Sequence, residues 1–196
     1  MPDRHSPIDD GFPEAGSPDD RAALDHLFQA TYQELRSLAS TIRRGDPNAT
    51  LNPTALVNEA WLKLAGSPPS RTTSRLHFKR IAARAMRQVL VEAARRRNAN
   101  KRGGDGAIFI TFDESLVAIN CEQELLGLDS ALDQLASVEP RQALMVESRF
   151  FGGFEIAEIA ELLAVSEATI LRDWRAAKAW LAHTLRHPGN PPNTPS

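Results

Sequence analysis

Basic residues concentrate in one stretch of the chain, and their chemistry suits phosphate binding. Between Arg71 and Arg102 the only acidic residue is Glu92, although the whole chain carries a formal net charge of −2. A stretch of one sign attracts polyanions, because guanidinium and ammonium groups pair with phosphate oxygens. The residues that we expect to contact the backbone of a nucleic acid are Arg84, Arg87, Arg95, Arg96, Arg97, Lys101 and Arg102.

Two other interpretations of this basic stretch are weaker. A solvated helix face normally alternates positive and negative charges, and this stretch does not. A basic amphipathic helix could instead lie on a membrane, but its apolar side is needed to complete a helical core. Nucleic-acid contact is therefore the favoured interpretation.

A second set of polar residues recurs at helical spacing near the C-terminus. The segment from Glu155 to Leu181 is typical of a helix, a tight turn and a second helix. Val165 would fill the turn, and the hydroxyl of Ser166 would cap the second helix. An ordinary helical hairpin is the alternative, but it does not require a basic outer face. The residues predicted to face DNA bases and phosphates are Ser166, Glu167, Thr169, Arg172, Arg175 and Lys178.

The remaining residues form no pattern typical of catalysis or metal binding. The five histidines are scattered, and Cys121 is the only cysteine. We find neither metal-ligand spacing nor a loop that could cradle phosphate. We therefore predict that the chain is not an enzyme and uses no metal, no cofactor and no small-molecule substrate.

The distribution of apolar residues favours a cytoplasmic location. No apolar run approaches the roughly 18 to 20 residues needed to span a bilayer. The N-terminal segment MPDRHSPIDD has no apolar stretch of the kind found in signal peptides. We therefore expect no membrane partner.

Helical periodicity dominates the chain between two polar tails. It predicts an all-α fold of two small helical domains, a three-helix N-terminal domain and a helix-turn-helix C-terminal domain, joined by an extended linker. The segment IFITF could form a short strand, but it has no evident pairing partner. The predicted boundaries are a disordered tail at 1–20, the first domain at 21–100, the linker at 101–124, the second domain at 125–186 and a disordered tail at 187–196.

Both predicted domains resemble those of extracytoplasmic-function (ECF) sigma factors of bacterial RNA polymerase. The segments in which this resemblance is seen are LNPTALVNEAWLKL, FKRIAARAMRQVLVEAARRRNANKRGG and RFFGGFEIAEIAELLAVSEATI, followed by WRAAKAWL. The resemblance implies that the first domain binds polymerase and the −10 promoter element, and that the second reads the −35 element. The linker would then thread toward the active-site cleft of the polymerase. The implied partners are core RNA polymerase and promoter DNA. The implied polymerase-binding residues are Leu56, Asn58, Glu59 and Trp61.

The helix that would bind polymerase departs from the family pattern. Family members carry several acids at its start, where this chain has Asn52, Thr54 and Ala55, and only Glu59 survives. Phosphorylation of Thr54 or Thr50 would restore negative charge at a helix N-terminus, where it is favoured. One hypothesis is therefore activation by a Ser/Thr protein kinase. The alternative is binding through Glu59, Asn58 and apolar contacts alone.

Two rival functions fit the same motifs. A helix-turn-helix regulator would bind duplex DNA stably without acting as a sigma subunit. A protein that only sequesters polymerase would bind it without opening promoters. The nearest candidates for lining a pocket for an unstacked −10 base are His77, Phe78 and the loop from Ser67 to Arg75. A role in the apolar core fits Phe78 equally well.

Overall fold

The computed structural model describes residues 18–42, 52–66, 74–100, 111–112, 117–118 and 122–187. Within these residues the chain is almost entirely helical, and the predicted all-α fold class is confirmed. The helices of the first half are α1 (Pro18–Ile42), α2 (Pro53–Ala65) and α3 (Arg75–Asn100). A short hairpin, β1 (Thr111–Phe112) and β2 (Val117–Ala118), precedes α4 (Glu122–Val138), α5 (Pro140–Gly152), α6 (Ile156–Leu163) and α7 (Glu167–Arg186).

Local signals in the sequence set where several helices begin. The side-chain oxygen of Asn52 accepts a hydrogen bond from the Ala55 backbone N–H at 2.8 Å, so Asn52 caps α2. The hydroxyl of Ser74 accepts from the backbone N–H of His77 at 3.1 Å, at the start of α3. Helix α5 ends at a glycine, because Gly153 adopts a left-handed conformation with φ of 63°.

The prediction that IFITF lacks a pairing partner is wrong. Thr111 pairs with Ala118, and Phe112 pairs with Val117, in an antiparallel register. The partner lies only five residues further along the chain and is too short to show an alternating pattern. The predicted tail residues 1–17 and 188–196 and the linker residues 101–110, 113–116 and 119–121 lie outside the described residues.

The two halves of the chain share one continuous apolar core. Helix α3 lies at its centre and contacts α1 and α2 from its own half as well as α4, α5 and α6 from the other. The approach is close, because a Cβ placed on Gly152 of α5 would lie 3.0 Å from the Cβ of Ala83. Burying a large side chain such as Phe78 or Phe151 contributes about 1.5 to 3 kcal/mol of transfer free energy. The two halves therefore form one packed body in this structure.

Candidate nucleic-acid interface

The turn between α6 and α7 is shaped by caps on both helices. Glu155 and Glu158 form a capping box at the start of α6. Ala164 ends α6 in the left-handed region, with φ of 52°, and the Val165 N–H donates to the Ala160 carbonyl at 3.0 Å. The hydroxyl of Ser166 accepts from the backbone N–H of Thr169 at 3.2 Å, which confirms the predicted cap. These bonds fix the angle at which α7 leaves the turn.

Helix α7 buries one face and exposes the other. The side chains that point into the core are those of Ile170, Trp174, Ala177 and Leu181. The predicted DNA-facing set lies on the opposite side. Within that set Glu167, Arg172 and Arg175 are exposed, while Thr169 and Lys178 are half-buried at its edges. The arrangement presents a basic helix face of the size that enters a major groove.

Leu171 also lies on this exposed face, although it is not among the residues predicted from the sequence to face DNA. Leu171 is 43% exposed and lies beside Arg172 on the outward side of α7. An exposed leucine on such a helix can contact the methyl group of thymine. The signal was available, since Leu171 is one turn after Glu167 and one turn before Arg175, both of which were predicted to face outward.

An ion pair between a buried carboxylate and an exposed arginine braces α7 against α5. The carboxylate of Asp173 is 5% exposed and accepts from the Arg141 Nε at 2.9 Å. On the same side of α7, the guanidinium of Arg149 lies 5.7 Å from the ring centroid of Trp174. These contacts hold two adjacent residues of α7 against α5, so the orientation of its exposed face is fixed by the rest of the C-terminal half.

Helix α2 presents only part of the predicted polymerase-binding set. Asn58 and Glu59 are exposed, and Leu62, which is outside the predicted set, is 65% exposed. Leu56 is fully buried. Trp61 stacks on the ring of Phe28 in α1, with centroids 4.4 Å apart. The inclusion of Leu56 is therefore corrected, because a partner could not reach it in this structure.

The N-terminal turn of α2 has no acidic residue. Thr54 is half-buried in that turn, directly after Pro53. The other candidate for phosphorylation, Thr50, lies outside the described residues.

The basic residues of α3 differ sharply in their surroundings. Arg84, Arg95 and Arg96 are exposed on α3. Arg97 is half-buried and pairs with Glu122 of α4, with a nitrogen–oxygen distance of 2.7 Å. Lys101 and Arg102 lie outside the described residues. The single basic face that the sequence predicts is therefore partly covered by the C-terminal half.

Arg87 is the most enclosed of these residues, with 13% of its side chain exposed. It pairs with Asp129 at 2.7 Å, with Asp133 at 2.6 Å and with Glu147 at 2.8 Å. Burial opposes the charged form, but the hydrogen bonds with Glu147 and Asp133 outweigh burial and raise the pKa of Arg87. The prediction that Arg87 faces DNA is corrected for this structure, because acids from α4 and α5 use its donors.

A second ionic contact joins the halves at the other end of α3. The ammonium of Lys79 is buried, donates to the carboxylate of Glu158 at 2.8 Å and lies 4.6 Å from the ring centroid of Phe154. Glu34 of α1 lies 4.0 Å from the same ammonium. Burial raises the pKa of Glu158, but the hydrogen bond from Lys79 outweighs it, and the pKa is lowered.

This lowered pKa predicts a pH-dependent contribution to stability. A carboxyl whose pKa is lower in the folded chain than in the unfolded chain stabilises the fold at pH values above its unfolded pKa, ordinarily 4.5. This stabilisation is lost as the pH falls through the folded pKa. We expect Glu158→Gln to lower the melting temperature at pH 7 and to have a smaller effect as the pH falls below 4.5 toward the folded pKa. Thermal melts across this range measure the difference. The matched control is Glu161→Gln, an exposed acid on the same helix. A difference in melting temperature between Glu158→Gln and the unsubstituted chain that is constant with pH would contradict this account.

The two aromatic candidates for a base-binding pocket have separate roles. Phe78 is fully buried in the core, so its interpretation as a pocket lining is wrong for this structure. His77 is half-buried at the start of α3. Burial, together with the positive charge of Arg80, lowers the pKa of His77 and favours the neutral ring.

Two further properties limit the chemistry of the described residues. No described helix is both long enough and apolar enough to cross a membrane. Among the same residues, no group of three or more His, Cys, Asp or Glu side chains is placed to hold a metal ion.

A match to a known protein family identifies the class of protein that carries these surfaces of α2, α3 and α7. The family model described as ECF sigma factor matches residues 15–187 and thus covers both halves. The chain belongs to the ECF sigma factor family. Comparison with curated proteins and with solved structures gave no significant match. ECF sigma factors act in transcription initiation, bind DNA and RNA polymerase, and are regulators rather than enzymes.

Proposed function

We propose that this ECF sigma factor directs core RNA polymerase to promoters by reading the −35 element with α7. The observation that carries the proposal is the exposed face of α7, with Arg172 and Arg175 free to enter a major groove and the helix braced by Asp173. The reading residues are Ser166, Glu167, Thr169, Leu171, Arg172, Arg175 and Lys178. Arginines recognise guanine edges and phosphates, and Leu171 adds an apolar contact for thymine.

The first half of the chain supplies the other two proposed contacts, one with polymerase and one with the −10 element. Polymerase binds the exposed side of α2 through Asn58, Glu59 and Leu62, with Trp61 holding that helix against α1. The −10 element and its backbone bind along α3 through Arg84, Arg95, Arg96 and Arg97, and then through Lys101 and Arg102.

Binding selection tests this proposal against a helix-turn-helix regulator that works without polymerase. Genomic DNA fragments are incubated with the chain alone, with core polymerase alone and with both, and the retained fragments are sequenced. We expect a common pair of promoter elements to be enriched only when both proteins are present. Equal enrichment by the chain alone would support the regulator. Binding to polymerase without any enrichment would indicate sequestration, and either result would overturn the proposal.

The proposal includes control of α2 by phosphorylation of Thr54 or Thr50. Support comes from the first turn of α2, which has no acid although negative charge is favoured there. A phosphate on Thr54 would add about 1.5 to 2 negative charges at the positive end of the α2 helix dipole. A Ser/Thr protein kinase is the partner that this step requires.

Aspartate substitution tests the phosphorylation step. Thr54→Asp is expected to tighten binding to core polymerase about three- to tenfold, since a charge at a helix N-terminus contributes about 0.3 to 1 kcal/mol and more where partly buried. Thr50→Asp is measured in parallel, and Ser37→Asp on the exposed face of α1 is the control for added charge. The step is contradicted if Thr54→Ala and Thr50→Ala stay fully active in a kinase-free system and neither aspartate exceeds the control.

A further inference from the structure

An acidic side chain lies on the basic face that α7 presents to DNA. Glu167 is the first residue of α7 and is exposed, and Leu171 and Arg175 follow it one and two turns later. Phosphate repels a carboxylate, so Glu167 cannot contact the DNA backbone as an arginine does. Its role is therefore either structural, within the helix, or contact with a donor group on a base.

The capping of α7 is carried out by a neighbouring residue and not by Glu167. The hydroxyl of Ser166 accepts from the Thr169 backbone N–H at 3.2 Å and shares a hydrogen bond with the Thr169 hydroxyl at 2.9 Å. Within the part of the chain that the structure describes, the carboxylate of Glu167 has neither a hydrogen bond nor an ion pair. The helix dipole favours an acid at this position, but it leaves both carboxylate oxygens available to accept from a base.

Small residues on the exposed side of α7 allow the helix to approach the floor of a major groove. Ala168 lies two turns before Arg175, Ala179 lies one turn after it, and both alanines are exposed. Their methyl groups keep little space between the helix backbone and the base edges. The first residues of a recognition helix are those that contact base edges in helix-turn-helix complexes. Glu167 therefore reaches the bases, although its side chain is shorter than that of an arginine.

The chemistry of a carboxylate selects one base in the major groove. A carboxylate accepts hydrogen bonds and donates none. Guanine presents the acceptors N7 and O6 and thymine presents the acceptor O4, so both repel it. Adenine places its amino group beside the acceptor N7, whereas cytosine presents its N4 amino group without an acceptor of its own. Cytosine is therefore the base that a glutamate in this position favours.

We infer that Glu167 makes this sigma factor specific for a cytosine within the −35 element. The inference rests on the proposed function, because it requires α7 to read that element, and it adds the identity of one base. Leu171 lies about 6 Å further along the helix axis, so the base that it contacts is within about two base pairs of this cytosine. Arg172 and Arg175 supply the attraction to DNA that offsets the repulsion between Glu167 and phosphate.

Selection from a promoter library by the full chain with core polymerase tests the inference. The probe is a duplex promoter from the fragment selection, in which each position of the −35 element is replaced in turn by every other base. With the unsubstituted chain, we expect one position at which cytosine is preferred about fivefold or more. Glu167→Gln should change that preference to adenine, because a glutamine amide pairs with N6 and N7 of adenine. Glu167→Ala should remove the preference there and leave the preferences at other positions within about twofold.

Two controls separate base recognition from a change in charge or in helix stability. Glu161→Gln removes an exposed acid from α6 and should leave every base preference unchanged, and Leu171→Ala should relax the preference at a different position. If both Glu167 variants change binding to all promoters equally and alter no base preference, the inference is overturned and Glu167 serves only the N-terminus of α7. If the unsubstituted chain selects no shared element, the proposed function fails and the inference fails with it, so the two failures are distinguishable.

Discussion

Replacing Arg172 and Arg175 together with alanine is expected to reduce promoter-specific transcription about a hundredfold. Each arginine that contacts a guanine edge contributes about 1 to 3 kcal/mol of discrimination, and removal of both should leave only backbone contacts. Both side chains are exposed, so the fold should be unaffected. Run-off transcription with core polymerase measures the loss, and circular dichroism checks that the helices persist.

Arg186→Ala provides the matched control for this pair. Arg186 is an exposed arginine at the far end of α7, away from the face that follows the turn. Its removal should change transcription no more than about twofold, since it is placed for at most a phosphate contact. Retention of full promoter specificity by the double alanine variant would show that α7 does not read the −35 element.

Phe78→Ala is expected to lower the free energy of unfolding by about 3 to 5 kcal/mol. Phe78 is fully buried near the start of α3, in the core that both halves share. The loss combines the transfer free energy of the ring with the cost of the cavity that it leaves. Chemical denaturation of the full chain, with the transition followed by circular dichroism, measures the change.

The neighbouring residue distinguishes a core role from a role in binding a base. His77→Ala removes a half-buried ring beside Phe78 and should cost about 1 kcal/mol or less. If Phe78 lined a base pocket, its replacement would impair promoter opening and leave stability nearly unchanged. A stability loss below about 1 kcal/mol for Phe78→Ala would therefore contradict its placement in the core.

The features that the sequence predicts well are those set by neighbouring residues. Asn52 caps α2 and Ser166 caps α7 because each side chain bonds to a backbone N–H three residues later. The apolar stripe of Ile170, Trp174 and Ala177 marks the buried side of α7 in the same local way. The exposed face of α7 follows directly, so most of its polar residues could be named in advance.

The contacts by which the C-terminal half covers part of α3 could not be predicted from neighbouring residues. Arg87 meets Asp129, Asp133 and Glu147 from 42, 46 and 60 positions away along the chain. The sequence does show a basic stretch followed by acids between Asp105 and Asp133, and this opposition of charge was the available signal. Opposite charges do not specify which residues pair, because pairing depends on how α4 and α5 pack against α3.

The same limit explains the partial prediction of the polymerase surface. Helical periodicity places Leu56 and Trp61 on the apolar side of α2, but it does not decide whether that side meets the core or a partner. In the structure this side of α2 meets the core, because Phe28 of α1 stacks on Trp61 and Leu56 is fully buried. Leu62 is left as the exposed apolar residue of α2.

Run-off transcription with purified core polymerase tests the central claim most directly. Genomic DNA is transcribed by core polymerase with and without the chain, and the 5′ ends of the transcripts are sequenced. Discrete start sites should appear only with the chain, each preceded by one shared pair of elements near −35 and −10. The Arg172→Ala, Arg175→Ala variant should lose these start sites. Transcripts that are the same with and without the chain, in its Thr54→Asp form as well as without substitution, would contradict the assignment of this protein as a promoter-directing sigma factor.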